Sequence, residues 1–434
     1  MTKVDVLLGL QWGDEGKGKV VDVLSEDYDI IARFQGGANA GHTLEIEGDR
    51  HILHLIPSGI FHESKINVIG NGVVIDPCIL RREIAGLRKK QVDASRNLYL
   101  SKKAHLILPS HRLLDAAYEQ IKGKSKIGST LKGIGPAYTD KTARNGIRLG
   151  EILYSGFYDL YKSLKDHHMG IVALADWDYK ACLLDGIPFE EYESQWFESI
   201  EMLKNFRIID SEYFINQKLA DHKTILAEGA QGTMLDVEFG TYPFVTSSST
   251  VCAGVCTGLG IAPARVGNVF GIVKAYCTRV GSGPFPTELD DPTGEQMRVK
   301  GNEYGSTTGR ARRCGWLDLV ALRYAIMLNG VTDLIMTKAD VLSGFERLKV
   351  CTHYRRNLDV MDAFPYGILH EPVVPVYQEM EGWDQDLQSL GSYDAAPSAF
   401  KEYVRFIEQE VRVPFLYIST GAGRKQIFKI RKAS

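Results

Sequence analysis

Between Val4 and Lys19 the chain spells a strand, a glycine loop and the start of a helix, and this order constrains the fold more than any other stretch. Val4, Val6, Leu7, Leu8 and Leu10 form an apolar run with almost no polar interruption, the pattern of a short strand buried on both faces. Gly13, Gly16 and Gly18 follow, with Lys17 and Lys19 among them. Val20, Val21, Val23 and Leu24 then mark the inner face of a helix. Strand, glycine loop and helix together aim backbone N–H groups and a helix N-terminus at a phosphate. Glycine lets the backbone approach the anion without a Cβ in the way, and lysine supplies a point charge.

The loop departs from the usual P-loop. The span from Gly9 to Gly16–Lys17 is two residues longer than G-x-x-x-x-G-K-[ST], and Gly18 stands where the Mg²⁺-binding hydroxyl belongs. A phosphate loop without that hydroxyl needs a hard oxygen ligand from elsewhere, and Asp14 lies inside the loop. Taken alone, the stretch fits a glycine-rich turn with solvated charges equally well.

The rest of the chain decides between them. Ile30–Phe34 runs into Gln35-Gly-Gly-Ala-Asn39-Ala-Gly41-His42-Thr43, and Lys65–Ile69 into Gly70-Asn71-Gly72. Residues 105–108 form an apolar run before Pro109-Ser110, where Ser110 is placed to cap a helix through Leu113–Ile121. Thr224–Ala227 breaks into Glu228-Gly-Ala-Gln231, Asn268–Val280 into Gly281-Ser-Gly283, Asp333–Thr337 into Lys338-Ala339-Asp340, and Phe415–Ser419 into Thr420-Gly421. Strands alternating with helices predict an α/β fold: a large, doubly wound, mostly parallel sheet with helices on both faces, P-loop-NTPase-like. No linker or repeat interrupts the 434 residues, which read as one domain with a mainly helical excursion at about 110–220. In such sheets ligands sit beyond the carboxyl ends of the strands, so these polar turns converge on one crevice.

Charge and cysteine content exclude other classes. Lys+Arg 51 against Asp+Glu 54 gives a net charge of −3, which argues against general nucleic-acid binding. Seven widely spread cysteines read as reduced intracellular thiols, with Cys252 and Cys256 as small buried residues. No apolar run is long enough to span a membrane, so a soluble, cytoplasmic protein is expected.

The long motifs Gln11–Lys19 (QWGDEGKGK), Gln35–Thr43 (QGGANAGHT), Gly133–Tyr138 (GIGPAY), Glu228–Asp236 (EGAQGTMLD), Gly240–Ser248 (GTYPFVTSS), Thr278–Glu288 (TRVGSGPFPTE) and Thr307–Arg313 (TTGRARR) resemble adenylosuccinate synthetase essentially end to end. That family joins IMP and L-aspartate into adenylosuccinate through a 6-phosphoryl-IMP intermediate, using GTP and Mg²⁺. The resemblance implies Asp14 as base, His42 as acid and Lys17 against the transferring phosphoryl group. It gives Asp14 and the Gly41 carbonyl to one Mg²⁺ per subunit.

It further implies GTP contacts from Gly13, Asp14, Glu15, Gly16, Lys17, Gly18 and Lys19, from Gly41, His42 and Thr43, and from Arg312. The guanine falls to Lys338, Ala339 and Asp340, with Ser419, Thr420 and Gly421 closing the pocket. An Asp carboxylate there accepts from both the ring N–H and the amino group of guanine, a pair adenine lacks. For IMP the resemblance supplies Asp14, Lys17, Asn39, Ala40, Gly41, Thr130, Gln231, Thr246 and Arg310, with Arg144 reaching in from the second subunit of a homodimer. Thr307, Thr308, Gly309, Arg310 and Arg312 are the expected hold on aspartate, whose carboxylates a guanidinium fork matches.

Three departures stand out. Ala311 interrupts a run of four arginines, Leu131 and Lys132 follow Thr130 in place of glycine and arginine, and Ala38 replaces a frequent histidine. A different class, a GTP-binding switch, would need the P-loop hydroxyl that Gly18 displaces and would have no use for His42 or the Thr307–Arg313 loop.

Overall fold

The computed structural model describes residues 2–46, 48–123, 128–175, 177–305 and 309–431. Ten strands form the central sheet: β1 (Val4–Gly9), β2 (Ile30–Arg33), β3 (Ile66–Ile69), β4 (Leu98–Ser101), β5 (Arg207–Ile209), β6 (Ile225–Glu228), β7 (Val266–Lys274), β8 (Asp333–Thr337), β9 (Phe415–Ser419) and β10 (Ile427–Lys429). Their spatial order is β10-β9-β8-β7-β1-β6-β2-β3-β4-β5. Every neighbouring pair is parallel except β9–β10 at one edge.

Strand β1 sits near the middle, and successive residues serve opposite faces. Leu7 joins Ile31, Leu226 and Ile272 against Val20, Val21 and Leu24 of the helix Lys17–Leu24. Val6 and Leu8 join Ala32, Ala227 and Val273 on the other face, under Leu322 and Ala325 of Leu319–Asn329 and Phe400 and Ile407 of Ser398–Val411. Each such aliphatic side chain contributes roughly 1.5–3 kcal/mol on burial, so the apolar runs of the sequence become the sheet's interior. Asp318 caps Leu319–Asn329 by accepting from the N–H groups of Val320 and Ala321, and Gly330 ends it in a left-handed turn at φ 61°.

Several expectations shift. Ser110 is no cap: the helix starts at Pro109, and the buried Ser110 hydroxyl is 2.8 Å from His168 Nδ1. Residues 105–108 supply only a two-residue strand beside Val74–Ile75, while β4 takes the sheet position. The run read as Asn268–Val280 divides into β7 and a short strand Cys277–Arg279, which pairs antiparallel with Arg313–Gly315. Among the described residues, the stretch from 109 to 220 carries five α-helices and also β5, which extends the sheet. A second sheet over Arg347–Arg356, Asp359–Met361 and Val374–Glu381 was not anticipated. No helix among the described residues is long and apolar enough to cross a membrane, and all seven cysteines are free thiols.

Candidate active site

The loop after β1 is held open from inside. Gly13, Asp14 and Gly16 all have positive φ, at 83°, 60° and 86°. Glycine adopts that conformation freely, and Asp is among the few other residues that tolerate it. Glu15 is fully buried: its Oε1 accepts from the N–H groups of Gln11 (3.1 Å) and Gly13 (2.9 Å), and its Oε2 pairs with the Lys17 ammonium. A Cβ on Gly9 would lie 2.2 Å from Glu15 Oε2, so Gly9 makes room for this internal carboxylate. Glu15 therefore shapes the loop from within and holds Lys17 at its mouth.

Lys19, expected against the nucleotide, is spent elsewhere. Its ammonium donates to Ser419 Oγ (2.7 Å), the Gly421 carbonyl (2.7 Å) and the Gln426 carbonyl (2.8 Å), which uses all three protons. It ties the phosphate loop to the turn after β9. Burial lowers its pKa to about 8, against the pull of Asp340.

The missing hydroxyl at Gly18 has a steric reason. A Cβ there would sit 2.9 Å from His42 Cβ and 3.3 Å from the His42 backbone. The helix start and the hairpin His42–Ile46/Asp49–Leu53 pack too closely for serine or threonine. Gly18→Ser, which restores the ordinary P-loop residue, is thus expected to cost about 1–3 kcal/mol by overpacking and to lower turnover. Denaturant midpoints and initial rates check this, and a stable, fully active variant would contradict it.

His42 is buried, and its Nδ1 lies 2.5 Å from Glu228 Oε1 at the end of β6. Glu228 also accepts from the Ser58 N–H (2.8 Å) and hydroxyl (2.6 Å). Burial lowers the pKa of His42 and outweighs the opposing Glu228 charge. Burial alone would raise Glu228, but His42 and Arg33 pull it below the ordinary carboxylate value. The resting pair is a neutral imidazole donating from Nδ1 to a carboxylate, which leaves Nε2 without a partner among the described residues.

Nε2 of His42 belongs to a wider pattern. Among the described residues, the Asn39 Oδ1, both polar atoms of the Gln231 amide, Asp340 Oδ1 and Thr420 Oγ1 are also buried without a partner, as are atoms of other residues such as Asn67, Asn97 and Glu212. Buried polar atoms are normally hydrogen-bonded, and leaving one unpaired costs about 1–3 kcal/mol. Gln231 is held in a left-handed conformation at φ 58°, and a Cβ on Gly13 would come within 3.7 Å of its backbone. Burial raises the pKa of Asp340, whose Oδ2 accepts from Gln388 at 3.0 Å.

Other turns close on the loop. Arg312 Nε donates to Asp14 Oδ2 at 2.8 Å, and its Nη1 to Glu303 Oε2 at 2.6 Å. Glu303 is fully buried and receives the Lys274 ammonium at 2.9 and 3.0 Å. The guanidinium expected on aspartate's carboxylates therefore rests on two protein carboxylates. The Thr337 hydroxyl donates to the Glu15 carbonyl at 2.7 Å, and Lys338, at φ 60°, donates to the Gly301 carbonyl at 2.7 Å. Ala339 is buried between Lys338 and Asp340. Arg310 reaches the Gly128 carbonyl at 3.3 Å, joining the Gly309–Arg313 stretch to the segment that carries Thr130. Thr246 Oγ1 is 3.5 Å from Ser248 Oγ, which donates to Gln35 Oε1. Ala40, Gly41 and Thr43 flank His42, and the Ala40 carbonyl lies 2.6 Å from His54 Nδ1. Thr307 and Thr308 lie outside the described residues. Arg144 is exposed in a left-handed turn after Ile134–Ala143.

Sequence reasoning missed Glu228, Glu303 and Lys274. Glu228 was visible as a carboxylate ending an apolar strand, the place where an orienting group for a histidine belongs. A further cluster, His111, Asp140 and His168, has its ligand atoms within 4.8 Å of one another. His111 Nδ1 accepts from the Leu108 N–H at 2.9 Å, so its proton is on Nε2 and goes to Asp140. A metal-binding imidazole uses its second nitrogen as a donor, so this cluster is a hydrogen-bonded anchor for Ile134–Ala143.

A parallel sheet with a glycine phosphate loop at its centre, a buried histidine–glutamate pair and unsatisfied polar groups in the surrounding turns defines a nucleotide-using enzyme of the phosphate-loop class. The adenylosuccinate synthetase family model matches residues 6–428. An adenylosuccinate synthetase of Flavobacterium johnsoniae is 60% identical over 423 residues, covering 98% of this chain and 99% of that protein. One from Christiangramia forsetii is 56% identical over 423 residues, with the same coverage. The structure of a fully ligated adenylosuccinate synthetase from Plasmodium falciparum superposes with a TM-score of 0.91 at 39% identity, covering 99% of this chain and 100% of that one.

The chain belongs to the adenylosuccinate synthetase family. It is a ligase that joins IMP and aspartate at the expense of GTP, with Mg²⁺, on the route to AMP.

Proposed function

We propose that Asp14, Lys17 and His42 carry the chemistry of this ligation, with Glu228 as the group that positions His42. The observation that carries the proposal is His42 held by Glu228 against Gly18 of the phosphate loop, with its buried Nε2 unpartnered among the described residues; Asn39 and Gln231 are placed for IMP, and Asp340 and Thr420 for guanine.

The six-position oxygen of hypoxanthine is a poor leaving group. It is first phosphorylated by GTP, and the amine of aspartate then displaces phosphate. Asp14 takes the proton from ring nitrogen 1 as the oxygen attacks, a task suited to a carboxylate oriented by Arg312. Lys17, held at the loop mouth by Glu15, meets charge spreading over the equatorial oxygens of the phosphoryl group. The incoming phosphates raise the proton affinity of His42, so Nε2 gains a proton as nucleotide binds and donates to the oxygen that gains charge.

Asp14, which accepts from Arg312, and the Gly41 carbonyl are the hard oxygen donors that would hold Mg²⁺. Bound there, the ion supplies charge neutralisation for the phosphates. Arg312, held here by Asp14 and Glu303, would offer its guanidinium to aspartate's carboxylates. The Asp340 carboxylate accepts from guanine, while Ser419, Thr420 and Gly421 form the wall that Lys19 fixes. Arg144 completes the IMP site of a neighbouring subunit in a homodimer; its exposed position fits a reach outward rather than inward.

Phosphate release from GTP, followed with IMP and with or without aspartate, tests the proposal. Release should require IMP and rise with aspartate; release indifferent to both would replace the ligase mechanism with a plain GTPase. Arg144→Leu and Asp14→Asn, each weak alone, should regain activity on mixing. Absence of recovery despite demonstrated subunit exchange would remove the shared site.

A further inference from the structure

A cavity of about 530 Å³ lies between the His42–Ile46/Asp49–Leu53 hairpin and the helix Pro77–Lys89. That volume falls within the usual range for small-molecule sites. Its floor is apolar, from Ala38, Leu53, Ile79 and Leu87, and its rim carries Arg50, Arg82, Lys90 and Lys132 with His51 and His54. One carboxylate, Glu83, lines it, and burial raises its pKa to about 7.

Neighbouring acids leave the rim positive. Asp185 is shared among Arg82, Arg112 and Lys132, Lys90 pairs with Asp49, and Arg50 has no ion-pair partner among the described residues. Burial lowers the pKa of His54, helped by the charges of Lys132, Arg33 and Arg82; burial and Lys90 do the same to His51. A low-dielectric pocket ringed by one sign of charge concentrates ions of the other sign.

The same walls hold the hairpin that carries His42. Leu53 pairs directly with His42, and Ile52 with Thr43. The His54 carbonyl accepts from Arg33 at 2.8 Å, and Glu83 accepts from the N–H groups of His54 and Leu55. A ligand bridging the helix and the return strand therefore bears on the position of His42.

We propose that this cavity is a second, regulatory site for a phosphorylated small molecule, its phosphate on the cationic rim and its sugar or base on the apolar floor. Sugar phosphates and nucleotides share this chemistry, and the probes separate them.

Calorimetry would use the enzyme saturated with IMP, GDP, Mg²⁺ and aspartate, so that the crevice is filled. Ribose 5-phosphate and UMP are titrated separately. Binding of one molecule per chain is expected. Equal affinity for both marks a sugar-phosphate site, and tighter binding of UMP marks a nucleotide site. Arg50→Ser with Lys90→Ser, two exposed changes, should weaken binding at least tenfold while leaving turnover without the probe unchanged.

Gly86→Gln provides a second test. An added Cβ there meets nothing within 4 Å, so the helix accepts the side chain, which then fills the cavity and abolishes binding. Failure of both probes to bind the wild-type complex at millimolar concentration would overturn the proposal. So would binding that neither variant alters, or displacement of the bound probe by further IMP.

Discussion

Replacing Asp14 by asparagine is expected to lower turnover by at least ~10²–10⁴-fold, the loss typical of a missing general base, while the protein stays folded. Asparagine is the cleaner substitution because Asp14 sits at φ 60°, in the left-handed region that Asn tolerates and alanine does not. An alanine there adds about 1–2 kcal/mol of backbone strain, which would blur a catalytic effect with a structural one. The amide keeps an oxygen for Arg312 Nε but takes no proton from the purine. Arg312 retains Glu303, itself neutralised by Lys274, so the surrounding network survives the change. Initial rates of IMP-dependent phosphate release at saturating GTP, with circular dichroism for folding, check the result. Because Asp14 is also the expected Mg²⁺ ligand, the measurement is repeated as Mg²⁺ is raised. A defect that excess Mg²⁺ repairs would make Asp14 a metal ligand alone, and near-normal turnover would remove it from the mechanism.

The contrast between Asp14 and Glu228 explains how far the sequence could be read. Asp14, Lys17 and His42 lie in glycine-rich turns at the ends of apolar strands, where a polar side chain advertises a ligand. Both faces of β1, β2, β6 and β8 are buried, so their sequences are continuous apolar runs with sharp ends. Strands β5 and β10 are three residues each at the sheet's edges, where partial exposure admits Arg207 and Lys429 and erases the pattern. Glu228 meets His42 across 186 residues, and Lys274 meets Glu303 after the chain returns through the strand Cys277–Arg279 and the helix Pro292–Gly301. Such pairings come from the order of strands in the sheet, β2 beside β6, and no local spacing encodes them. Lys19 and Arg312 illustrate the reverse limit. Their motif positions were legible, but their partners in the folded chain are the Ser419–Gln426 turn and two carboxylates.

Glu228→Gln is expected to reduce turnover by about 10²-fold or more, since His42 acts only with its ring fixed and its positive form stabilised. The glutamine oxygen can still accept from Nδ1, but the amide then faces the Ser58 N–H, donor against donor, at a cost of about 1–3 kcal/mol. The lost charge matters more. Burial already lowers the pKa of His42, and Glu228 is the main opposing influence, so its removal lowers that pKa further. The sign for catalysis follows. If the protonated ring is needed in the transition state, activity falls as pH rises through the pKa of His42 in the complex, and this limb moves to lower pH in Glu228→Gln.

Stability carries the same signature. Folded His42 refuses a proton that the unfolded chain accepts near its ordinary value of 6.5, so its contribution is complete above that pH and is lost below it. Glu228, depressed from 4.5, contributes above that value and fails only in stronger acid. Wild-type binding of IMP and GTP near pH 7 should also take up a proton, seen as a dependence of the calorimetric heat on the buffer's ionisation enthalpy. Glu228→Gln should reduce that uptake, and His42→Asn should abolish it. An unshifted pH profile with normal turnover in Glu228→Gln would demote the pair to a structural contact. A buried carboxylate that tunes one imidazole would then have no part in phosphoryl transfer.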